Sequence, residues 1–394
     1  MSDREQGDWM PLKELPENED PFLNQARTLH RSAITVDGHC DTPYRLKRRG
    51  LHLEQHDPLA QLDLRTMQEG GITASFFAAY VPPFYAGRGA FNFANQLIDL
   101  IEQEAERHRD TLDVLRRSEE IRQAKARGRI GLMIGVEGGH AIEDSLEKLH
   151  HLYDRGARYL TLTHVNTNNW ADSSGDEGRH GGLTSFGREV VREMNSLGMI
   201  VDISHVADTT FYHALECSSV PIIASHSSCR ALARHPRNLT DAMLKDLASA
   251  GGVCMINFFS AFIDDDAAQH LIAASSSSPR KKGLGMHEEI PDDRTNWDAF
   301  CNWFTSLNCP PGTLDQVVDH IVHVATISGI DSVGIGSDFD GVPLLPSGIE
   351  NAARIPYLSA RMLQRGFHEE DVKKVLGENF LRVFGAIEKG SRTN

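Results

Sequence analysis

The sequence predicts an α/β fold, a (β/α)8 TIM barrel with an N-terminal extension, a C-terminal helix and an inserted loop after the seventh strand. Eight short apolar, β-branched runs alternate with segments of helical periodicity, and polar residues follow each run at once. Runs that are apolar on both faces are typical of parallel strands covered by helices. No GxGxxG motif follows the first run, which argues against an open dinucleotide-binding sheet.

The predicted strands and helices alternate along the chain. The strands are Ala33–Val36, Ile72–Tyr80, Ile130–Val136, Tyr159–Thr163, Met199–Ile203, Pro221–Ala224, Gly252–Phe258 and Ser332–Ile335. Helical periodicity is found in 93–115, 144–156, 184–198, 240–251 and 313–329. Several of these segments end in glycine, the residue expected just past a helix C-terminus.

Three regions lie outside the eight repeated units. Residues 1–30 form a predicted N-terminal extension with a helix around Leu23–His30. The barrel is expected over 31–387, with a C-terminal helix over 366–387 and a tail over 388–394. An insertion over 264–312 begins with a polar, serine-rich stretch, 264–297, that has no periodicity and is interpreted as a loop. An active-site loop and a surface loop without a role explain this composition equally well.

Composition excludes several classes of partner. The net charge of −15 argues against nucleic-acid binding, which needs a basic face. The six cysteines include no CxxC pair and are predicted to be reduced. The longest nearly apolar run, 251–263, is too short to cross a bilayer, and no signal peptide is recognisable. We therefore expect a cytoplasmic protein without a membrane partner.

Polar side chains capable of metal binding or acid/base chemistry follow most of the predicted strands. They are His39 and Asp41 after the first, Glu137 after the third, His164 after the fourth, His205 after the fifth, His226 after the sixth and Asp338 after the eighth. In a barrel enzyme the C-terminal ends of the strands carry the reacting groups. The sequence thus predicts that these residues share one rim.

The spacing of these residues indicates a metal centre. His39 and Asp41 are two apart, so in extended chain they project the same way and can bind one ion. Glu137, between glycines in GVEGGH, is the best candidate for a bridging carboxylate, and His205 and His226 would bind a second ion. Each residue alone has an ordinary explanation, such as a helix cap or a solvated histidine. Their common location favours the metal, because buried charges are costly unless paired or metal-bound.

Six motifs resemble the renal (membrane) dipeptidase family, binuclear zinc dipeptidases of the amidohydrolase superfamily. They are VDGHCDTP (36–43), GVEGGHAIE (135–143), YLTLTHVNTNNWADS (159–173), VDISHV (201–206), SHSSCRALARHPRNLTD (225–241) and GIGSDFDGV (334–342). They occur in the family's order and at similar spacing, between about Ile34 and Phe384.

The resemblance implies a specific metal site. His39, Asp41 and Glu137 would bind one Zn²⁺, and Glu137, His205 and His226 the other. The two ions would be bridged by Glu137 and by a water or hydroxide. Members of the family commonly form homodimers, which we expect here too.

The resemblance also implies the residues that handle the substrate. His164 would contact the substrate and its tetrahedral intermediate, Arg237 would hold the substrate, and Asp338 would be the catalytic acid/base. The chemistry agrees, since paired metal ions activate water, a carboxylate can carry its proton, and a guanidinium fits a carboxylate.

Three of these roles have alternatives in the sequence. Asp340 lies two residues from Asp338 and could be the working acid instead. Arg237 could serve only as a cap or a partner of Asp241. Asn168, in the polar loop after the fourth strand, is expected to line the pocket and contact the substrate, although a turn-forming role explains it equally well.

The predicted function is a zinc dipeptidase for dipeptides with a free C-terminal carboxylate, of L-L and, as the family often tolerates, L-D configuration. One alternative is a binuclear zinc amidohydrolase that acts on N-acyl amino acids or lactams. Another is a ligand-binding barrel without catalysis.

Overall fold

The computed structural model describes residues 20–55, 57–277 and 293–391, except for the side chains of 276–277 and 293–297. Its strands all pair in parallel. They are β1 (Val36–Cys40), β2 (Ala74–Tyr80), β3 (Leu112–Leu115), β4 (Ile130–Glu137), β5 (Ala157–Thr161), β6 (Ile200–Asp202), β7 (Ile223–Ser227), β8 (Val253–Ile256) and β9 (Val333–Ile335).

Eight of these strands close into a barrel. Strand β1 pairs with both β2 and β9, β2 pairs with β4, and the remaining neighbours follow in chain order from β4 to β9. The predicted parallel barrel is therefore confirmed. Each of its eight strands overlaps a strand predicted from the sequence.

The ninth strand, β3, was not predicted from the sequence. Periodicity assigned 93–115 to one helix, but the helix there ends at Arg107 and Leu112–Leu115 pairs with the first half of β4 outside the barrel. Its end residues Leu112 and Leu115 are buried, while the two between them are half-buried. Four residues are too few for a periodicity argument, so pairing with β4 decides their conformation.

Helices surround the barrel. They are α1 (Pro21–Ser32), α2 (Thr42–Arg49), α3 (Leu64–Glu69), α4 (Ala90–Arg107), α5 (Ser118–Ala126), α6 (Leu146–Asp154), α7 (Ser185–Leu197), α8 (Asp208–Cys217), α9 (Asp241–Ser249), α10 (Ser260–Ile263), α11 (Asp265–Ser277), α12 (Asp293–Ser306), α13 (Leu314–Ser328), α14 (Ile355–Gln364), α15 (Glu369–Lys373) and α16 (Asn379–Gly390). The helices predicted at both ends of the chain correspond to α1 and to α15–α16.

The first strand lies further along the chain than its apolar run. The run predicts Ala33–Val36, whereas the strand is Val36–Cys40 and contains Asp37 and Gly38. Asp37 is tolerated there because its buried carboxylate accepts hydrogen bonds from the Ser337 backbone and hydroxyl, both at 2.7 Å. A Cβ at Gly38 would approach the Ser225 carbonyl oxygen to 2.5 Å, so only glycine fits. Both residues look like strand breakers in the sequence alone.

The C-terminal helix closes the end of the barrel opposite the predicted rim. Phe380 and Phe384 of α16 are buried in one cluster with Phe76 and Met133 from the barrel strands. The rings of Phe76 and Phe380 meet edge to face, with centroids 5.5 Å apart. This apolar plug leaves the other end of the barrel as the open one.

The insertion after β8 is partly helical, so the prediction of a loop is wrong for part of it. Helix α11 and the first residues of α12 lie where 264–297 was interpreted as aperiodic, and α10 immediately precedes this stretch. In α11 the buried residues Ala267, Ala268 and Leu271 form a short inward stripe, and Asp265 and Asp266 occupy the first turn, where acidic residues favour a helix. Residues 278–292, like 1–19 and 392–394, lie outside the described residues.

The sequence argues against disulfide bonds and against a membrane-spanning helix. All six cysteines are free, which agrees with the prediction of reduced thiols. None of the helices in residues 20–55, 57–277 and 293–391 reaches both the length and the hydropathy of a membrane span.

His320 on α13 is a buried histidine that is held neutral by its neighbours. Its Nδ1 accepts a hydrogen bond from the Cys229 backbone at 2.9 Å, and its Nε2 contacts the Ile263 carbonyl at 3.1 Å. Burial lowers the pKa of His320 to about 4. Protonation of Nδ1 would remove the acceptor that Cys229 requires.

We predict that His320 contributes to acid sensitivity. Between pH 7 and pH 5 this residue becomes protonated in the unfolded chain but stays neutral in the folded one, so its contribution to stability falls as the pH falls. His320→Asn keeps an acceptor near Cys229 without a titratable ring. Chemical denaturation at pH 7 and at pH 5 measures how far the free energy of unfolding drops between them. This drop should be about 2 kcal/mol smaller in the variant than in the wild type. Equal losses in both proteins would contradict this assignment.

Candidate metal centre

The predicted metal-binding side chains converge at the open end of the barrel around Glu137. Glu137 is the last residue of β4, and its Oε2 lies 3.5 Å from His39 Nε2. Its other oxygen, Oε1, lies 3.1 Å from His205 Nε2 and 3.4 Å from His226 Nε2. Asp41 Oδ2 lies 3.4 Å from His39 Nε2. The two oxygens of Glu137 therefore face two different groups of side chains.

The donor atoms fit divalent cations. His39 Nε2 and Asp41 Oδ1 are buried and have no hydrogen-bond partner. The Nε2 atoms of His205 and His226 lie 3.0 Å apart, a separation that two N–H donors could not share. Buried polar atoms are normally satisfied, and imidazole nitrogen with carboxylate oxygen is a typical zinc donor set. The unpaired atoms are thus explained if metal ions bind among them.

His39 and Asp41 lie close together as predicted, but the turn into α2 rather than strand alternation brings them together. Strand alternation would project both side chains to one side, but Asp41 lies just past β1 and has φ −95° and ψ 19°. It is the N-cap of α2, and its side chain makes no cap hydrogen bond. The turn into the helix brings its carboxylate beside His39, so the pair converges although the extended geometry ends at Cys40.

Two histidines are oriented by neighbours that the sequence analysis missed. His39 Nδ1 lies 2.7 Å from the Tyr159 hydroxyl, and His226 Nδ1 lies 2.8 Å from Ser225 Oγ. Ser225 Oγ in turn donates to Asp202 Oδ2 at 2.7 Å. These contacts leave Nε2 of each ring directed toward Glu137, in the manner of the outer partners of metal-bound histidines.

Burial sets the protonation of the site in the absence of metal. The pKa of His205 and that of His226 are well below the usual value, first because both rings are buried. Nearby positive charge lowers the two pKa values further, from Arg237 at His205 and from His39 and then Arg237 at His226. Both rings are therefore neutral, the form that offers a lone pair to a metal. Burial raises the pKa of Glu137, His39 opposes this, and the neighbouring charge of Asp41 raises it further.

Two residues of the site adopt a backbone conformation that glycine favours. His205 has φ 70° and Asp338 has φ 63°. The strain is held by hydrogen bonds, because the Asp338 N–H donates to the His39 carbonyl at 3.0 Å and the Ser174 N–H donates to the His205 carbonyl at 2.8 Å. Strained non-glycine residues that neighbours hold in place are typical of functional sites.

The structure distinguishes Asp338 from Asp340. Asp338 lies with His39 and Asp41 in one cluster of potential ligand atoms, and Asn257 donates to its Oδ2 at 2.8 Å. Asp340 is instead paired with Arg45, whose Nε lies 2.9 Å from its Oδ2, and the same oxygen also accepts the Thr42 hydroxyl. The alternative that Asp340 is the working acid is therefore not supported by its contacts.

Arg237 is a buried cation beside the centre. Its guanidinium donates to the His226 carbonyl at 3.1 Å and to Ser227 Oγ at 3.3 Å. No carboxylate of the described residues lies within ion-pair distance of it, and Asp241, the partner considered from the sequence, pairs with His323. Burial lowers the pKa of Arg237 to about 10, so it is charged at neutral pH. A buried guanidinium without an anionic partner fits a substrate carboxylate.

The side chain of Asn168 makes hydrogen bonds within its own loop. Its side-chain oxygen accepts from the Trp170 and Ala171 backbones, both at 2.9 Å, and its nitrogen donates to the Leu162 carbonyl at 2.8 Å. These contacts favour the turn-forming alternative, and a substrate contact by Asn168 stays a prediction. His164, in contrast, lines the cavity, with Nε2 4.0 Å from Glu137 Oε1.

A cavity opens above these side chains. Its empty space, open mouth included, is about 780 Å³. Its wall combines the polar centre with apolar side chains: Asp41, Tyr44, Tyr80, Glu137, His164, Val165, His205, Phe259, Phe262, Leu271, Phe300, Asp338, Asp340, Gly341, Val342 and Pro343. The substrate would therefore meet both a metal centre and an apolar surface.

The sequence model of the membrane dipeptidase family, peptidase family M19, matches residues 23–394. The chain belongs to this family. The match spans every residue of the metal centre, from His39 to Asp338. The predicted family and the predicted enzyme class, a metallo-dipeptidase, are confirmed, and membership implies a metal cofactor.

Individual relatives agree with the family. Dipeptidase verJ of Clonostachys rogersoniana is 36% identical over 390 residues, covering 94% of this chain and 89% of the relative. A crystal structure of the probable dipeptidase PvdM from Pseudomonas aeruginosa has the same fold, with a TM-score of 0.81, 24% identity and coverage of 94% and 99% of the two chains. A crystal structure of a metallopeptidase from Rhodobacter sphaeroides, liganded with a phosphinate mimic of the dipeptide L-Ala-D-Ala, is also similar. Its TM-score is 0.73 at 25% sequence identity, and the match covers 90% of this chain and 99% of that one.

Some residues of the site gave weak signals in the sequence. Asn257 is a lone amide inside the predicted apolar strand Gly252–Phe258, and its position at the end of that strand could have marked it. Tyr159 and Ser225 occupy strand positions that look structural, and only their contacts with the histidines give them a role at the centre.

We predict that Gly341→Ala damages the centre without unfolding the protein. A Cβ at Gly341 would lie 2.5 Å from Asp338 Oδ1 and closer still to Asp41 Oδ2, so both carboxylates must move. Metal affinity should fall by roughly 10–100-fold. The matched control is Gly385→Ala, where the Cβ would meet only Ser118 Oγ at 3.6 Å. Metal titration of the two variants, with melting temperatures alongside, tests this; equal affinities would refute the proposed crowding.

Proposed function

We propose that this protein is a binuclear zinc dipeptidase that hydrolyses dipeptides with a free C-terminal carboxylate. The observation that carries the proposal is the placement of Glu137, whose Oε2 faces His39 and whose Oε1 faces His205 and His226. A carboxylate that divides its oxygens between two donor groups is suited to bridging two cations. Family membership and the dipeptidase name of a 36% identical relative support the substrate class.

The two ions would have separate ligand sets that share Glu137. His39 and Asp41 would complete the first, and His205 and His226 the second. When bound, such ions polarise the scissile carbonyl and lower the pKa of a water molecule toward neutrality. Zinc is proposed because neutral imidazoles with carboxylates suit this borderline ion.

Asp338 is proposed to transfer the proton during hydrolysis. As the water oxygen forms its bond to the carbonyl carbon, the water proton passes to the Asp338 carboxylate. When the C–N bond breaks, the same proton passes to the departing amine, so Asp338 ends the cycle ionised. The hydrogen bond from Asn257 holds the carboxylate in position throughout.

Arg237 and His164 are proposed to bind the two ends of the reacting group. The unpaired guanidinium of Arg237 would take the C-terminal carboxylate, while His164, at the cavity wall, would donate to the carbonyl oxygen as it gains negative charge. The mimic in the Rhodobacter sphaeroides structure has a D-residue at its C-terminus, which supports tolerance of L-D as well as L-L dipeptides.

Substrate class is tested by a panel of dipeptides, N-acyl amino acids and lactams given to the zinc-loaded enzyme. Dipeptide hydrolysis that stops on chelation and returns with zinc supports the proposal. Turnover of N-acyl amino acids or lactams alone would establish the alternative amidohydrolase, and no turnover at all the non-catalytic barrel. The homodimer stays a prediction that light scattering can test. The cytoplasmic location stays a prediction that cell fractionation can test.

We predict that Asp338→Asn lowers turnover by roughly a hundredfold or more, as expected for loss of a general acid/base. Zinc content should stay the same, because none of the five proposed ligands is changed. Asp110→Asn, at an exposed position, is the control and should match the wild type. Undiminished turnover in Asp338→Asn would remove this residue from the mechanism.

A second prediction concerns Arg237. Arg237→Met should lower kcat/KM for a free-acid dipeptide by roughly tenfold or more, because a charged hydrogen bond to the carboxylate is lost. The same dipeptide with a C-terminal amide should change little, and Arg237→Lys should recover part of the preference for the acid. If kcat/KM falls equally for the free-acid peptide and for its amide, Arg237 has a structural role instead.

A further inference from the structure

Helices α10–α12, which follow β8, place four apolar side chains on one side of the cavity. Phe259 and Phe262 come from the start of this segment, Leu271 from α11 and Phe300 from α12. We call these four residues the apolar wall. Phe259 packs against Phe262 with ring centroids 4.9 Å apart, so these two rings form one apolar surface.

The wall is supported from behind. Phe304 is buried, and its ring centroid lies 5.4 Å from that of Phe259 and 6.2 Å from that of Phe300. Phe300 and Phe304 lie four apart on α12, and both therefore face the same direction. This packing fixes the position of Phe300 at the cavity even though it is only half-buried.

The wall lies beside the proposed carboxylate-binding residue. The guanidinium carbon of Arg237 is 5.2 Å from the centre of the Phe262 ring. A substrate whose carboxylate reaches Arg237 thus has its C-terminal residue next to Phe262. The side chain of that residue, rather than that of the N-terminal residue, is the part that extends over the wall.

The described part of the cavity wall offers no lysine or arginine to an acidic substrate side chain. Of its carboxylates, Asp340 already pairs with Arg45, while Asp41, Glu137 and Asp338 belong to the proposed metal and catalytic centre. A carboxylate on the substrate's side chain would have no partner there, and burying it against the apolar wall would be costly. An aliphatic or aromatic side chain would instead remove apolar surface from water.

We propose that the enzyme selects dipeptides with a bulky apolar C-terminal residue, whose side chain packs on the apolar wall. This inference rests on the proposed dipeptidase function and on the proposed role of Arg237. It also assigns a purpose to the insertion, namely that its helices set substrate specificity.

The test compares kcat/KM of the zinc-loaded enzyme for Ala-Leu, Ala-Phe, Ala-Ala, Ala-Asp and Leu-Ala. We expect Ala-Leu and Ala-Phe to exceed Ala-Ala and Ala-Asp by about tenfold or more, since a single methylene in an apolar pocket contributes about tenfold or more. Equal values for the four Ala-X peptides refute the inference but leave the dipeptidase proposal intact. A gain confined to Leu-Ala refutes the assignment to the C-terminal residue. Absence of all dipeptide turnover refutes the function and the inference together.

Variants of Phe300 connect the preference to the wall. Phe300→Ala should reduce the ratio of Ala-Leu to Ala-Asp activity several-fold, and Phe300→Lys should shift it toward Ala-Asp by about tenfold, because an ammonium would then face the acidic side chain. A misfolded variant would not gain activity on Ala-Asp, so this readout separates specificity from damage. The control is Phe22→Ala, at a 37% exposed phenylalanine on α1, which should leave the ratio unchanged. Unaltered ratios in both Phe300 variants would refute the role of the wall.

Discussion

The buried carboxylate of Glu137 is the interaction on which the rest of the site depends. It lies among imidazoles from three other strand ends, and the nearest of these lies 3.1 Å from it. Asp41 and Asp338 bring further acidic groups close by, and these carboxylates have no lysine beside them in the described part of the chain. Buried charge of this density needs cations, and bound metal ions provide them in a way that also serves hydrolysis.

The barrel makes this concentration of charge possible. Its parallel strands deliver one or two polar residues each to a common rim, while the apolar plug of Phe380 and Phe384 closes the opposite end. Hydrogen bonds between neighbouring strand ends, such as Asp338 N–H to the His39 carbonyl, hold backbone conformations that would otherwise relax. Precision at the centre therefore comes from the scaffold, and variation in substrate preference is left to the inserted helices.

The alternation of apolar runs and helical segments was sufficient to predict the barrel and to place the proposed metal ligands on one rim. The sequence did not predict the strand bounds or the side-chain contacts where tertiary interactions override the local pattern. Asp37 and Gly38 look like strand breakers, yet hydrogen bonds from Ser337 and a tight approach to Ser225 make them part of β1. Asn168 was predicted to reach the substrate, but its amide is used by its own loop. Such partners are distant in sequence or are backbone atoms, and no spacing rule identifies them.

The proposed hydrolytic centre depends most directly on two cations that share Glu137. The decisive measurement is a crystal structure of the zinc-loaded protein with anomalous scattering data collected on both sides of the zinc absorption edge. We expect two anomalous peaks per chain. One should lie among Glu137 Oε2, His39 and Asp41, and the other among Glu137 Oε1, His205 and His226. A single peak, or zinc bound away from Glu137, would contradict this expectation.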